Sequence, residues 1–269
     1  MSYLQDSKPQ KVTVKTIKRL KGVRPIVATT AYDAIFTRFV DPCVDLILVG
    51  DSVGDTFLGY QTTVPVTLDT IVHHAAAVNR ANPQSLIVGD LPFSLAYESI
   101  DSLLASCRRL MQEGGVQAIK IEVGHESLFP KIETLVAAGI PVMGHIGLLP
   151  QSINALGSYR SYGNRESGKR RLIDWALQLQ NVGCFSVLGE AIKAETSAEI
   201  SQTLAVPFIG IGCGNRCDGQ ILVISDILGM SESIPSFAKV FANIGEQIRE
   251  GVSQYASEVK AGTFPEEKR

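Results

Sequence analysis

The sequence predicts a single-domain (β/α)8 barrel spanning residues 1–269, and three observations carry that prediction. Eight short apolar runs, most of them closing on Gly, Asp, Glu or His, recur along the 269 residues, and amphipathic stretches long enough to be helices separate them. The runs are almost continuously apolar, as strands of a parallel sheet must be when helices cover one face and side-chain layers fill the other. The length matches the roughly 250 residues of such barrels, and no Pro-, Ser- or charge-rich linker marks a second domain. A doubly wound sheet would need fewer strands or a further domain.

The chain opens with MSYLQDSKPQKVTVKTIKRLKG, which holds no long apolar core, so neither a secretory signal nor a membrane anchor is expected. Its Lys-rich part, Lys11 to Lys21, has no Arg before Arg19, which does not suit an organelle transit peptide; a short basic helix preceding the barrel is expected. The strands follow at Ile26–Thr29, Leu46–Val49, Leu86–Gly89, Ala118–Ile121, Pro141–Met143, Phe185–Leu188, Pro207–Ile211 and Ile221–Ile224.

Two connections are irregular. The long segment from Asp51 to Gln84 starts with a part too rich in Gly and β-branched residues for helix, expected to be a loop over the barrel mouth, and Leu68–Asn79 is expected to be helical. Only Gly212–Gln220 joins the last two strands, too few residues for an outer helix. A final helix over roughly Ser236–Lys260 is expected to cover that gap or to pack on a neighbouring subunit.

Charge and cysteine content narrow the function. A net charge of -2, from 25 basic and 27 acidic residues, provides no footprint for nucleic acid or a membrane surface. Five cysteines form no even-numbered disulfide framework, so a reducing, cytoplasmic setting is expected. Cys213 and Cys217 in CGNRC lack the two further ligands a zinc site needs and read as ordinary thiols.

In a barrel of this class the reactive groups sit where strands run into the following loops. The segments LILVGDS, LIVGDLPF, AIKIEVG, PVMGHIG and SVLGEAI place Asp51, Asp90, Glu122, His145 and Glu190 at the carboxyl ends of strands two to six. Any one of these acids could simply cap the next helix. Three on consecutive strands converge on one mouth, and carboxylates about 5 Å apart repel by roughly 3 kcal/mol per pair at an effective dielectric of about 20. Lys120 supplies one positive charge, and a divalent cation is expected to supply the rest. Oxygen ligands without adjacent cysteine or clustered histidine suit Mg²⁺ with waters completing its shell. Such a cation can take the keto and carboxylate oxygens of a small 2-oxo acid and act on it as a Lewis acid.

Lys120 and Glu122, two apart on one strand, can both point into the barrel. Lys120 also suits a neutralising salt bridge, and the two roles are compatible. His145 is expected to line the site and not to bind metal, whereas His73, His74 and His125 read as structural. The glycines of Gly210–Asn215 permit close backbone approach near the site. The basic, Gly-rich segment Gly157–Arg171 is expected to be a solvated, mobile loop, with a role as a flap or as an attractor of an anionic tail as the sharper alternative.

In their order and spacing, VGDSVG, TTVPVTLD, DLPF, KIEVG, GHIGLLPQSIN, IGIGCGNRCDGQILVISD and FAKVF resemble the ketopantoate hydroxymethyltransferase (3-methyl-2-oxobutanoate hydroxymethyltransferase) family over nearly the whole chain from Thr30. The resemblance implies a Mg²⁺-dependent, aldol-type transfer of a hydroxymethyl group from 5,10-methylenetetrahydrofolate to 3-methyl-2-oxobutanoate, giving 2-dehydropantoate and tetrahydrofolate in pantothenate biosynthesis. It implies metal ligands at Asp51, Asp90 and Glu122, substrate contacts at Asp51, Ser52, Asp90 and Lys120, and a proton acceptor at Glu190. It also implies a homo-oligomer, with rings of subunits such as decamers. Two departures from the family pattern stand out: Leu149 replaces a common Thr, and Gly189, Ala191 and Ile192 alter the surroundings of Glu190. A C–C lyase or mutase of the phosphoenolpyruvate and pyruvate barrels is the alternative enzyme, but its KKCGH-type loop is missing. A non-catalytic relative would be expected to have lost some of these positions, and all are present.

Overall fold

The computed structural model describes residues 11–158 and 160–266. Eight parallel strands close into a barrel in chain order: β1 Ile26–Thr30, β2 Leu46–Val49, β3 Leu86–Asp90, β4 Ala118–Glu122, β5 Val142–Gly147, β6 Ser186–Glu190, β7 Phe208–Ile211 and β8 Gly219–Leu222. The Ile26 N–H donates to the Asp218 carbonyl at 2.8 Å where the last strand meets the first.

The barrel interior follows from the two-residue period of strands. Ile26 and Ala28, Leu46 and Leu48, and Leu86 and Val88 alternate inward, and with Ala118, Met143, Phe185, Leu188, Ile209 and Ile221 they form the buried core. The expected basic helix is present at Val14–Leu20, with Thr13 capping its first turn, and it sends Ile17, fully buried, into the same core. This helix therefore plugs the amino-terminal end of the barrel. Lys15 and Lys18 stay exposed, and Lys21, partly buried just past the helix, pairs with Asp218 at 2.5 Å.

Several boundaries differ from expectation. β5 does not stop at Met143 but runs on to Gly147, so His145 lies within the strand and not at its end. Its extension is paired along both edges, Glu122 with His145 and Gly147 with Glu190, and these ladder hydrogen bonds override the glycines that argued for an earlier stop. Gly147 has φ +99°, and a Cβ there would collide with the Glu190 carbonyl, so only glycine fits. β8 lies two residues earlier than expected because it pairs with β7 through Gly219 and Gln220. The start of the long mouth segment contains a helical turn, Val53–Thr56, before the helix Leu68–Arg80. In the basic segment a helix, Glu166–Asn181, begins well before Arg171.

By their contacts the residues divide into two compact units, with the boundary after Ile221. The unit from Leu222 onward has a one-turn helix, Ile224–Ile227, and the final helix, Ile244–Ala261. The final helix begins later than expected: Phe241 N–H donates to the Ile227 carbonyl at 2.8 Å, and residues 236–243 are not helical. No helix among the described residues is long and apolar enough to cross a membrane.

Candidate active site

The inward rows that form the core continue as polar residues at the carboxyl ends of the strands. Val88 is followed two residues on by Asp90, Ala118 by Lys120 and then Glu122, Met143 by His145, and Leu188 by Glu190. Strand register sets Asp90 beside Lys120 and Glu122 beside His145. Asp51 lies just past β2, where its backbone N–H donates to Asp90 Oδ2 at 3.1 Å. Asp51, Asp90, Lys120, Glu122 and His145 are all buried, and Glu190 is nearly so.

Lys120 Nζ donates to both oxygens of Asp90, at 2.8 and 2.7 Å. Burial would depress the lysine, but Asp90, Asp51 and Glu122 together raise it, so it remains protonated. Burial also raises the acids: Asp90 to about 7 despite Lys120, Glu190 to about 7, and Glu122 well above its ordinary range. One lysine cannot neutralise this group.

His145 spans the space between two acids, with Nδ1 3.7 Å from Glu122 Oε1 and Nε2 3.4 Å from Glu190 Oε2. Burial and the Lys120 charge hold its pKa well below the usual imidazole value. Both ring nitrogens and Glu122 Oε1 are buried without a hydrogen-bond partner. Orphaned polar atoms of this kind are rare in protein interiors, where ordered water, an ion or a catalytic role commonly accounts for them. His145 thus stands inside the carboxylate cluster. His74, by contrast, bonds through Nδ1 to the Tyr32 carbonyl at 2.7 Å, and His125 caps a short helical turn.

Among the described residues no group of three His, Cys, Asp or Glu side chains could by itself hold a metal ion. Asp90 shares both of its oxygens with Lys120, which leaves it fewer lone pairs for a cation. The donor chemistry nevertheless fits a hard divalent cation that keeps much of its water, since Mg²⁺ is commonly held by one or two carboxylates. The unpartnered Glu122 oxygen is the observation that supports this fit.

Two site residues did not stand out as candidates in the sequence. Gln151, in the turn after β5, donates through Nε2 to Asp51 Oδ2 at 2.9 Å. Tyr32 Oη pairs with Ser52 Oγ at 2.8 Å. Gln151 lies within GHIGLLPQSIN and Tyr32 in the segment TTAYD at residues 29–33, but uncharged side chains with no special spacing offered nothing to rank them by.

The segment after Glu190 is held in an uncommon geometry. Ala191 has φ +50°, in the left-handed region that non-glycine residues seldom adopt. Tyr162 N–H donates to the Ala191 carbonyl, and Lys193 N–H to the Tyr162 carbonyl, at 2.8 and 2.9 Å. At Tyr162 the basic segment is thus tied to the backbone beside Glu190, while Arg160, Ser161, Asn164 and Arg165 are exposed, in keeping with a solvated loop. Cys213 and Cys217 are free thiols that contact backbone carbonyls, Cys213 Sγ lying 3.1 Å from that of Gly189. A groove of about 560 Å³ on the helix Glu166–Asn181, lined by Arg170, Arg171 and Trp175 among others, shares no residue with the carboxylate cluster.

Solved structures of the same architecture include 2,3-dimethylmalate lyase, a PEP mutase/isocitrate lyase superfamily member, with TM-score 0.61 and 14% identity over 97% of this chain and 92% of that one. Phosphonopyruvate hydrolase, in a complex with oxalate and Mg++, superposes with TM-score 0.61 and 10% identity over 94% and 89%. At such identities the likeness is one of fold. In sequence, the chain is 48% identical to the 3-methyl-2-oxobutanoate hydroxymethyltransferase of Trichodesmium erythraeum (strain IMS101), covering 95% of this chain and 98% of that protein. It is 46% identical to the enzyme of the same name from Staphylothermus marinus, covering 96% and 95%. The family model for ketopantoate hydroxymethyltransferase matches residues 11–267, and the chain belongs to that family.

Proposed function

We propose that the protein transfers a hydroxymethyl group from 5,10-methylenetetrahydrofolate to 3-methyl-2-oxobutanoate, giving 2-dehydropantoate and tetrahydrofolate. The observation that carries this reading is the cluster of buried Asp51, Asp90, Lys120 and Glu122 with the partly buried Glu190, in a chain whose relatives bear this enzyme's name. Asp51, Asp90 and Glu122 would hold Mg²⁺, directly or through its waters. When bound, the cation supplies Lewis-acid polarisation of the keto group.

The remaining steps fall to the chain's own groups. Lys120 stays charged and sits against Asp90, placed to bind an oxygen of the 2-oxo acid, with Asp51, Ser52 and Asp90 completing the contacts. Glu190, at the end of a different strand from the proposed metal ligands, accepts the proton from C3 of the substrate, and burial tunes it for that task at neutral pH. The electron pair left on C3 forms the new C–C bond to the folate-borne carbon. The two C–N bonds to that carbon break, water supplies the hydroxyl oxygen, and the two folate nitrogens take up one proton from that water and the one that Glu190 removed from C3. Burial of the cluster keeps bulk water from quenching the carbanionic carbon.

Incubation with both substrates and Mg²⁺ should yield 2-dehydropantoate, and activity should vanish in EDTA. Absence of product, or full turnover in EDTA, overturns this reading. We further read the protein as cytoplasmic and as a homo-oligomer; sedimentation velocity tests the oligomer, and cell fractionation the location.

A further inference from the structure

Gln151 is buried at the first turn after β5, yet it reaches the ends of three other strands. Its Nε2 donates to Asp51 Oδ2 at 2.9 Å beyond β2 and to the Leu91 carbonyl at 3.0 Å beyond β3. Its backbone N–H donates to Glu122 Oε2 at 3.3 Å at the end of β4. An amide nitrogen has two hydrogens, and both are engaged by acceptors. The opposite flip of the side chain would set its oxygen against a carboxylate and a carbonyl, so the orientation is determined by the partners.

We propose that Gln151 is a positioning residue for the cation site: it takes up Oδ2 of Asp51 and one oxygen of Glu122, leaving Asp51 Oδ1 and Glu122 Oε1 for the metal. The inference rests on the metal reading given above. Its physical core is the contrast with Lys120. A lysine orients Asp90 and also cancels its charge, whereas a glutamine orients Asp51 without adding a positive charge that would compete with a cation. Glu122 Oε1, buried and unpartnered, is the oxygen such an arrangement leaves available. Polar partners that orient metal-binding carboxylates typically change metal affinity by about 10–100-fold when removed.

The test is Mn²⁺ binding, read from the loss of the free-ion EPR signal, in the wild type and in Gln151→Met, which keeps the side-chain length and removes the donor. The expected result is a Kd for Mn²⁺ roughly tenfold or more higher in the variant, with turnover recovering as Mn²⁺ is raised and circular dichroism unchanged. Should Gln151→Met not fold, Gln151→Asn, which retains an amide one methylene short, is expected to weaken Mn²⁺ in the same direction. Unaltered Mn²⁺ affinity in a folded variant overturns the positioning role while leaving the metal reading intact. A wild type that binds no Mn²⁺ overturns the metal reading, and this inference with it.

Discussion

Lys120 Nζ lies 2.8 and 2.7 Å from the two carboxylate oxygens of Asp90, and both residues are buried. Replacing Lys120 with Met would leave Asp90 without its counter-charge beside Asp51. Breaking a buried pair on one side typically costs about 3–5 kcal/mol. Urea denaturation of Lys120→Met in the absence of metal is expected to show a loss of that order, and a loss below about 1 kcal/mol would contradict the pairing.

Glu190→Gln removes the proposed proton acceptor but preserves shape. Turnover is expected to fall by about 10²- to 10⁴-fold, the usual range for a general base, with Mn²⁺ affinity little changed. Loss of exchange of the substrate's C3 proton with deuterated solvent, followed by NMR, would localise the defect to proton abstraction. A variant that exchanges this proton at the wild-type rate removes Glu190 from the role.

The raised carboxyl groups predict a pH signature for the metal-free protein. Burial pushes Asp90 and Glu190 to about 7 and Glu122 well above its usual value. Between the ordinary carboxylate range of about 4 and a pH of about 7, the folded state binds more protons than the unfolded chain. Stability from these groups therefore declines as pH rises out of the ordinary carboxylate range, opposed by the single His145, whose lowered pKa adds stability as pH rises toward about 6.5. Calorimetry should give a lower metal-free Tm at about pH 8 than at about pH 5.5, and Mg²⁺ should raise Tm more at the higher pH, where the acids are ionised. An equal Mg²⁺ effect at both would count against carboxylate ligation.

Tyr32 Oη, buried and 2.8 Å from Ser52 Oγ, fixes the hydroxyl proposed to contact the 2-oxo acid. Tyr32→Phe forfeits a hydrogen bond worth about 1 kcal/mol, so KM for 3-methyl-2-oxobutanoate is expected to rise about fivefold with kcat less affected. An unchanged KM would place the pair outside substrate recognition.

The basic loop offers a separate test. Arg160 stacks over the Tyr162 ring at 5.6 Å, and Tyr162 is hydrogen-bonded on both sides of Ile192, two residues past Glu190. Neutralising Arg160 and Arg165 together is expected to raise the folate KM several-fold, more at low than at high salt, because the glutamyl tail is anionic. A folate KM that does not move would leave this loop with a structural role alone.

The barrel and the identities of its strand-end acids were legible in the chain because both depend on local pattern. Apolar runs have a length and a spacing, and a charged residue closing an apolar run is conspicuous. Lys120 and Glu122 could be assigned to one face from the two-residue period alone. What folding decided is which lone pairs are engaged. Lys120 takes one on each oxygen of Asp90, Gln151 takes one on Oδ2 of Asp51, and His145, moved inside β5 by pairing on both of its edges, stands between Glu122 and Glu190. Those relations join residues from 23 positions apart, Glu122 and His145, to 100, Asp51 and Gln151. They depend on the closure of the sheet and on the register of neighbouring strands, neither of which any local stretch of the sequence encodes.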